Sequence, residues 1–268
     1  MALCGGPYNN FAATREFLAQ TADLKSRFCL GDICGFGPRP DQTIEMIRNS
    51  EMTCIQCNYD HAIGFAEDEC GYGYGYGYGY DDPRDQKFAQ ISFDYSLKNA
   101  ALMHREWMQT LPKQIILNMG GRKIILCHGS PAQTNEFVWE SETSDAKIYH
   151  WCESLKVELI CGTHSGLPWI RRTKLGNVWL NVSVLGRPAH EGKTHVYYAT
   201  IEFKAGQLTP GVLEPRLIAM EYNYKEVAQV MREEKLPLEF VDSLEQDIWT
   251  TCYAILPRAE SAVRSRQP

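Results

Sequence analysis

Several short apolar runs in this chain stop on a polar side chain that can bind metal, and this recurrence narrows the fold more than any other feature. SRFCLGD ends at Gly31-Asp32, MTCIQC at Asn58, KIILCHGSP at His128-Gly129, and VELICGTHSG near His164. Short apolar runs bounded by glycine and polar residues read as buried strands. Between them lie amphipathic segments. NNFAATREFLAQT predicts a helix with Phe11, Phe17 and Leu18 toward the core, and GFGPRPDQTIEMIRNS a loop, then a helix opened by Pro40 and Asp41 with Ile44 and Ile47 on one face. NVWLNVSVLG and THVYYATIEF alternate like sheet strands, NYKEVAQVMREEKLP predicts a helix, and LEQDIWTTCYAIL is expected to form another. Strands alternating with helices imply an α/β fold.

In such sheets ligands bind beyond the carboxyl ends of the strands. Asp32, Asn58, His128 and His164 each stand at such an end, which gathers a carboxylate, an amide and two imidazoles at one edge. Oxygen and nitrogen donors that converge in this way suggest a metal site. A lone Asp or His at a strand end is usually a cap or a satisfied turn residue, but four at successive ends are harder to dismiss.

Composition excludes several classes. The net charge of −6 argues against a nucleic-acid backbone as main partner. No apolar run approaches the roughly 18 to 20 residues of a membrane helix. MALCGGPYNN has no basic segment followed by an apolar one, so a cytoplasmic location is expected. The ten cysteines are then expected to be reduced core thiols, several lying in apolar runs: Cys4, Cys29, Cys54, Cys127 and Cys161. The lone Cys54-x-x-Cys57 pair is read the same way.

GDICGFGPRPDQTIEMI resembles the G-D-x-x-G-Y-G-P segment of calcineurin-like metallophosphoesterases of the small bacterial type, and CHGSP resembles their H-G-S-P segment. CNYD sits where that family has G-N-H-D, CGTHSGLPWIRR where it has G-H-T-H, and GGPYNNFAA where it has S-D-I-H-G-N; NVSVLGRP resembles its N-x-G-S-V-G-x-P turn. The resemblance runs from the N-terminus to about residue 240. It implies a four-layer αββα sandwich and a single domain over residues 1–268, with a Gly-Tyr insert at about 68–85 and a C-terminal helical extension from about 222. Only MALC precedes Gly5, where the family has a longer first strand, so a short strand or a start assigned too late is expected.

The departures matter more than the matches. The family's site resembles the two-metal clamp of phosphoester hydrolysis. Asp32 matches its shared carboxylate, Asn58 its amide, and His128 and His164 one imidazole each. The first carboxylate is replaced by Gly6, its companion histidine by Tyr8, the catalytic histidine by Tyr59, and the first histidine of G-H-T-H falls on Gly162. Phenolate is a hard anionic donor that a highly charged cation can hold deprotonated. The resemblance and its departures therefore predict one metal ion, Fe(III) first and Zn or Mn as alternatives. Asp32, Asn58 and His128 would form its base and one or both of Tyr8 and Tyr59 complete it, with His164 as a further ligand or a supporting group and Asp60 supporting from behind.

The expected function is a metal-binding protein with weak or no classical phosphoesterase activity. The alternatives are a metal-dependent hydrolase of phosphomono- or diesters and an inactive scaffold. A small molecule or phosphate-like anion is the expected partner. GYGYGYGYGY at 71–80 reads as a surface loop, or else as an aromatic lid or a path for electrons.

Overall fold

The computed structural model describes residues 1–68, 81–206, 211–246 and 248–264. The Gly-Tyr run, expected as a surface insert, lies outside the described residues.

Two five-stranded sheets form the centre. In the first, β1 (Ala2–Cys4), β2 (Arg27–Cys29) and β3 (Thr53–Cys54) run parallel. It is extended past β1 by antiparallel β9 (Val196–Lys204) and β10 (Val212–Met220). In the second, β5 (Arg122–Leu126), β6 (Leu159–Gly162) and β8 (Val178–Asn181) run parallel. Antiparallel β4 (Ile115–Met119) and β7 (Trp169–Arg172) form its edges.

Side-chain alternation along these strands sorts the core into layers. Leu3, Phe28 and Leu30 from the first sheet meet Ile124, Leu126, Leu159 and Leu180 from the second. Their neighbours point outward. Ala2, Cys4 and Cys29 pack under α1 (Phe11–Gln20), α2 (Pro40–Asn49), α3 (Asn58–Phe65), α4 (Pro83–Asn99) and α5 (Leu102–Gln109) through Phe17, Ile44, Ile47, Ile63, Phe93 and Met108. Ile125, Ile160 and Trp179 pack under α6 (Asp145–Leu155) through Ile148 and Trp151. The result is the four-layer αββα sandwich that the resemblance implies.

The nine described cysteines are free and buried, and Cys4, Cys29 and Cys54 pair in register across β1, β2 and β3. Helices α7 (Tyr224–Glu233) and α8 (Leu238–Gln246) cover Phe11 and Phe88. The helix expected over LEQDIWTTCYAIL is not formed as such: α8 stops at Gln246, residues 248–257 are irregular, and α9 (Arg258–Arg264) follows. Tertiary bonds replace the helical ladder here. The Trp249 N–H donates to His190 Nδ1, and the Cys252 and Ala254 N–H groups donate to the buried Asp85 carboxylate. Among the described residues no helix is long and apolar enough to cross a membrane.

Candidate metal centre

The carboxyl ends of β2 and β5 carry the two side chains at the centre of the site. Gly31 and Asp32 follow β2, and Asp32 takes the left-handed conformation at φ 56°, which a short polar side chain tolerates. Its Oδ1 accepts from the Cys57 thiol at 3.0 Å, and its Oδ2 accepts from the Tyr8 hydroxyl at 3.2 Å. The same Oδ2 lies 3.4 Å from His128 Nε2. His128 follows β5, and its Nδ1 lies 2.7 Å from the Leu30 carbonyl. That carbonyl can only accept, so Nδ1 carries a proton and Nε2 faces Asp32. Metal-binding histidines are commonly oriented in this way by a backbone carbonyl.

Cys57 completes a candidate metal-binding group: ligand atoms of Asp32, Cys57 and His128, all buried, lie within 4.8 Å of one another. Cys57 also caps α3. Its sulfur accepts from the N–H groups of Asp60 and Asp32, each at 3.1 Å. The Asp60 carboxylate answers from behind, accepting from Ile33 N–H at 2.9 Å and Cys57 N–H at 3.3 Å. Burial, and then the nearby Asp32 charge, push the Asp60 carboxyl up to about 7. Burial and Asp32 likewise push the Cys57 thiol and the Tyr8 phenol well up. A carboxylate, a thiol and a pre-oriented imidazole, with a phenol alongside, match the donor chemistry of a single zinc- or iron-class ion.

Tyr8 is held in place by a tight surround. Its backbone is left-handed at φ 48°, costly for a bulky residue. Its ring meets Phe36 edge-on at 5.4 Å between centroids. A Cβ on Gly186 would stand 2.2 Å from Tyr8 Cβ, so only glycine lets the two backbones approach.

The sequence-expected residues divide. Tyr8, Asp32 and His128 are brought together, and His164 adjoins them with its Nδ1 2.9 Å from His128 Nε2. Burial and the neighbouring His128 hold the His164 imidazole well below its ordinary value. Asn58 opens α3 beside Cys57. Tyr59 turns elsewhere: its hydroxyl lies 2.9 Å from Ser92 Oγ and its ring packs edge-on against Phe93. The cause is local. The helix starts at Asn58, so each step rotates the side chain by about 100° and carries Tyr59 toward α4. Cys57 was missed because a cysteine at the end of an apolar run reads as core. The available signal was that it stands where the resembled family has glycine.

No protein-family model matches the chain. An uncharacterized protein of Methanocaldococcus jannaschii is 24% identical over 232 residues, covering 80% of this chain and 83% of that protein. A hypothetical protein of Pyrococcus horikoshii OT3 superposes with a TM-score of 0.70 at 19% identity, covering 94% of this chain and 99% of that one. A metallophosphoesterase from Sphaerobacter thermophilus superposes with a TM-score of 0.64 at 20% identity, covering 92% and 98%.

Proposed function

We propose that this chain, which has the calcineurin-like metallophosphoesterase fold, binds a single metal ion through Asp32, Cys57 and His128. Tyr8 supplies a phenolate donor to a ferric centre, and classical phosphoesterase activity is weak or absent. The observation that carries this reading is the meeting of Tyr8 and His128 on one oxygen, Asp32 Oδ2, at 3.2 and 3.4 Å. A cation among these atoms offsets the burial that keeps the phenol and thiol protonated, because ligands bind in their deprotonated forms. When bound, the ion supplies Lewis-acid or redox chemistry.

Three features support low hydrolytic activity. Gly6 has no donor where the resembled family places a carboxylate for a second ion. The residue at the position of the family's catalytic histidine, Tyr59, is engaged with Ser92. A phenolate and a thiolate on the ion add negative charge that opposes an anionic ester. Asn58 and His164 remain proposed donors at the rim.

The test is the visible spectrum and metal content of protein purified in air. About one iron per chain, with a strong visible band lost in Tyr8→Phe and kept in Tyr59→Phe, is the expected result. A colourless protein carrying zinc or manganese that hydrolyses phosphomono- or diesters overturns it in favour of the hydrolase.

A further inference from the structure

The cleft beside the metal group is walled from two sources. Tyr8 and His164 line it from the site itself: the Tyr8 hydroxyl donates to Asp32, and His164 Nδ1 lies 2.9 Å from His128 Nε2. Trp249, Cys252 and Ile255 line it from residues 248–257, the irregular run between α8 and α9. Trp249 and Cys252 are buried against the cleft, while their neighbours Ile248 and Tyr253 are 48% and 43% exposed, so solvent lies against the other side of the run. Asp32, Cys57 and His128 are all buried, and the cavity measures ≈ 30 Å³, room for a few solvent-sized atoms.

No helical or sheet ladder holds this run; it is fastened at points. The Cys252 and Ala254 N–H groups donate to the two oxygens of Asp85 on α4, at 2.6 and 3.0 Å. The Trp249 backbone N–H donates to His190 Nδ1 at 2.9 Å and its indole N–H to the Pro188 carbonyl at 2.8 Å. Arg187 donates to the Thr251 carbonyl at 2.9 Å. Past the end of the run, Glu260 on α9 accepts from the Ser141 N–H at 2.9 Å and from its hydroxyl at 2.7 Å. Trp249 and Leu256 pack with Trp139 and Leu167 in a small cluster apart from the sandwich layers. Cys252, between the two bonds to Asp85 and the cleft, is left-handed at φ 55°, which is costly away from glycine. A segment held by side-chain bonds and a small apolar cluster opens at a lower free energy than the strands around it.

We infer that residues 248–257 form a strap that closes the cleft over the metal group, latched by Asp85 within the run and by Glu260 beyond it, and that release of this latch sets how fast an ion or a small reagent reaches the buried donors. None of the strap's residues is among the proposed ligands. Loosening it therefore speeds entry and exit alike and leaves the affinity for the ion unchanged. The strap itself does not rest on the metal reading; that reading enters through the second of the two assays below.

The first assay is alkylation of the chelator-treated full chain by iodoacetamide, with the labelled cysteines identified by peptide mass spectrometry. In Asp85→Ala, labelling of Cys57 and Cys252 is expected to rise at least about tenfold over the wild type, the loss of a hydrogen bond to a charged group. Cys161, buried between the two sheets, is expected to keep its wild-type rate. An equal rise at Cys161 means general loosening and overturns the strap, as does unchanged labelling of Cys57 and Cys252. The second assay loads the chain with Zn(II) and follows its transfer to a chromogenic chelator. Faster transfer from Asp85→Ala at unchanged affinity supports the gate, and an unchanged rate, or a fall in affinity that accounts for the faster rate, overturns it. A chain that takes up no zinc counts against the metal reading, and the alkylation pattern still decides the strap. If Asp85→Ala does not fold, Glu260→Ala is read in the same assays by the same criteria.

Discussion

Asp60→Asn tests how the site is held. The side chain is fully buried, and each carboxylate oxygen accepts one backbone N–H: Oδ1 from Ile33 at 2.9 Å, Oδ2 from Cys57 at 3.3 Å. An amide of the same shape has one oxygen. Whichever way it turns, one N–H loses its acceptor and faces an NH2 donor instead, a loss of about 1–3 kcal/mol for a buried group. Relief from burying a charge opposes this. A carboxyl raised from 3.8 to about 7 in the fold costs stability progressively as pH rises through that window, so the relief is absent below about pH 4 and nearly complete at neutrality. Metal-free Asp60→Asn is therefore expected to gain stability relative to the wild type as pH rises from about 4 to about 7. Urea denaturation at the two pH values reads it as a midpoint difference that moves in the variant's favour, with unchanged slope. Because Ile33 follows Asp32 and Cys57 belongs to the candidate group, metal affinity is also expected to fall about tenfold, as for other residues that orient ligands. A midpoint difference that does not move between about pH 4 and about pH 7, with unchanged metal affinity, would refute the reasoning.

Cys57→Ser keeps an N-cap acceptor for α3 but removes the soft donor, so stability is expected to stay within about 1 kcal/mol while metal affinity falls, as measured by competition with a chromogenic chelator. Trp179→Ala empties a fully buried site whose ring centroid lies 5.7 Å from that of Trp169 and 5.5 Å from that of Trp151; urea denaturation is expected to show a loss of about 3–5 kcal/mol. Asp85→Ala leaves the Cys252 and Ala254 N–H groups, bound at 2.6 and 3.0 Å, without their acceptor. Limited proteolysis is expected to cut residues 248–257 faster than in the wild type, and an unchanged rate would count against Asp85 as the anchor of that segment.

The parallel strands were legible because each is covered on both faces, which leaves apolar runs that break only where the chain reaches the site edge. Hence Asp32 and His128 could be found from their neighbours alone. β10 was not, since VLEPRLIAM carries Pro215, which argues against a central strand. The structure puts it at the sheet edge, where a missing N–H is tolerated. Helices α4 and α5 have few core residues among many polar ones and left little periodic signal. Cys57 and Tyr59 depend on where α3 begins, a boundary one residue wide. Shifting it turns a core thiol into a donor and a donor into a core phenol.

Under the proposed one-ion reading, the departure at Gly6 lies in the backbone as well as in the lost side chain. Gly6 sits at φ 41°, and a Cβ there would stand 2.4 Å from Val184 Cγ1. Restoring the carboxylate would demand both a strained backbone and a displaced valine, so no single substitution recreates the second ion's ligand. The Tyr8 ring already occupies the adjoining space, with its carbon Cζ 3.2 Å from that same Cβ position. One buried carboxylate, Asp32, thus accepts from the Tyr8 phenol and the Cys57 thiol.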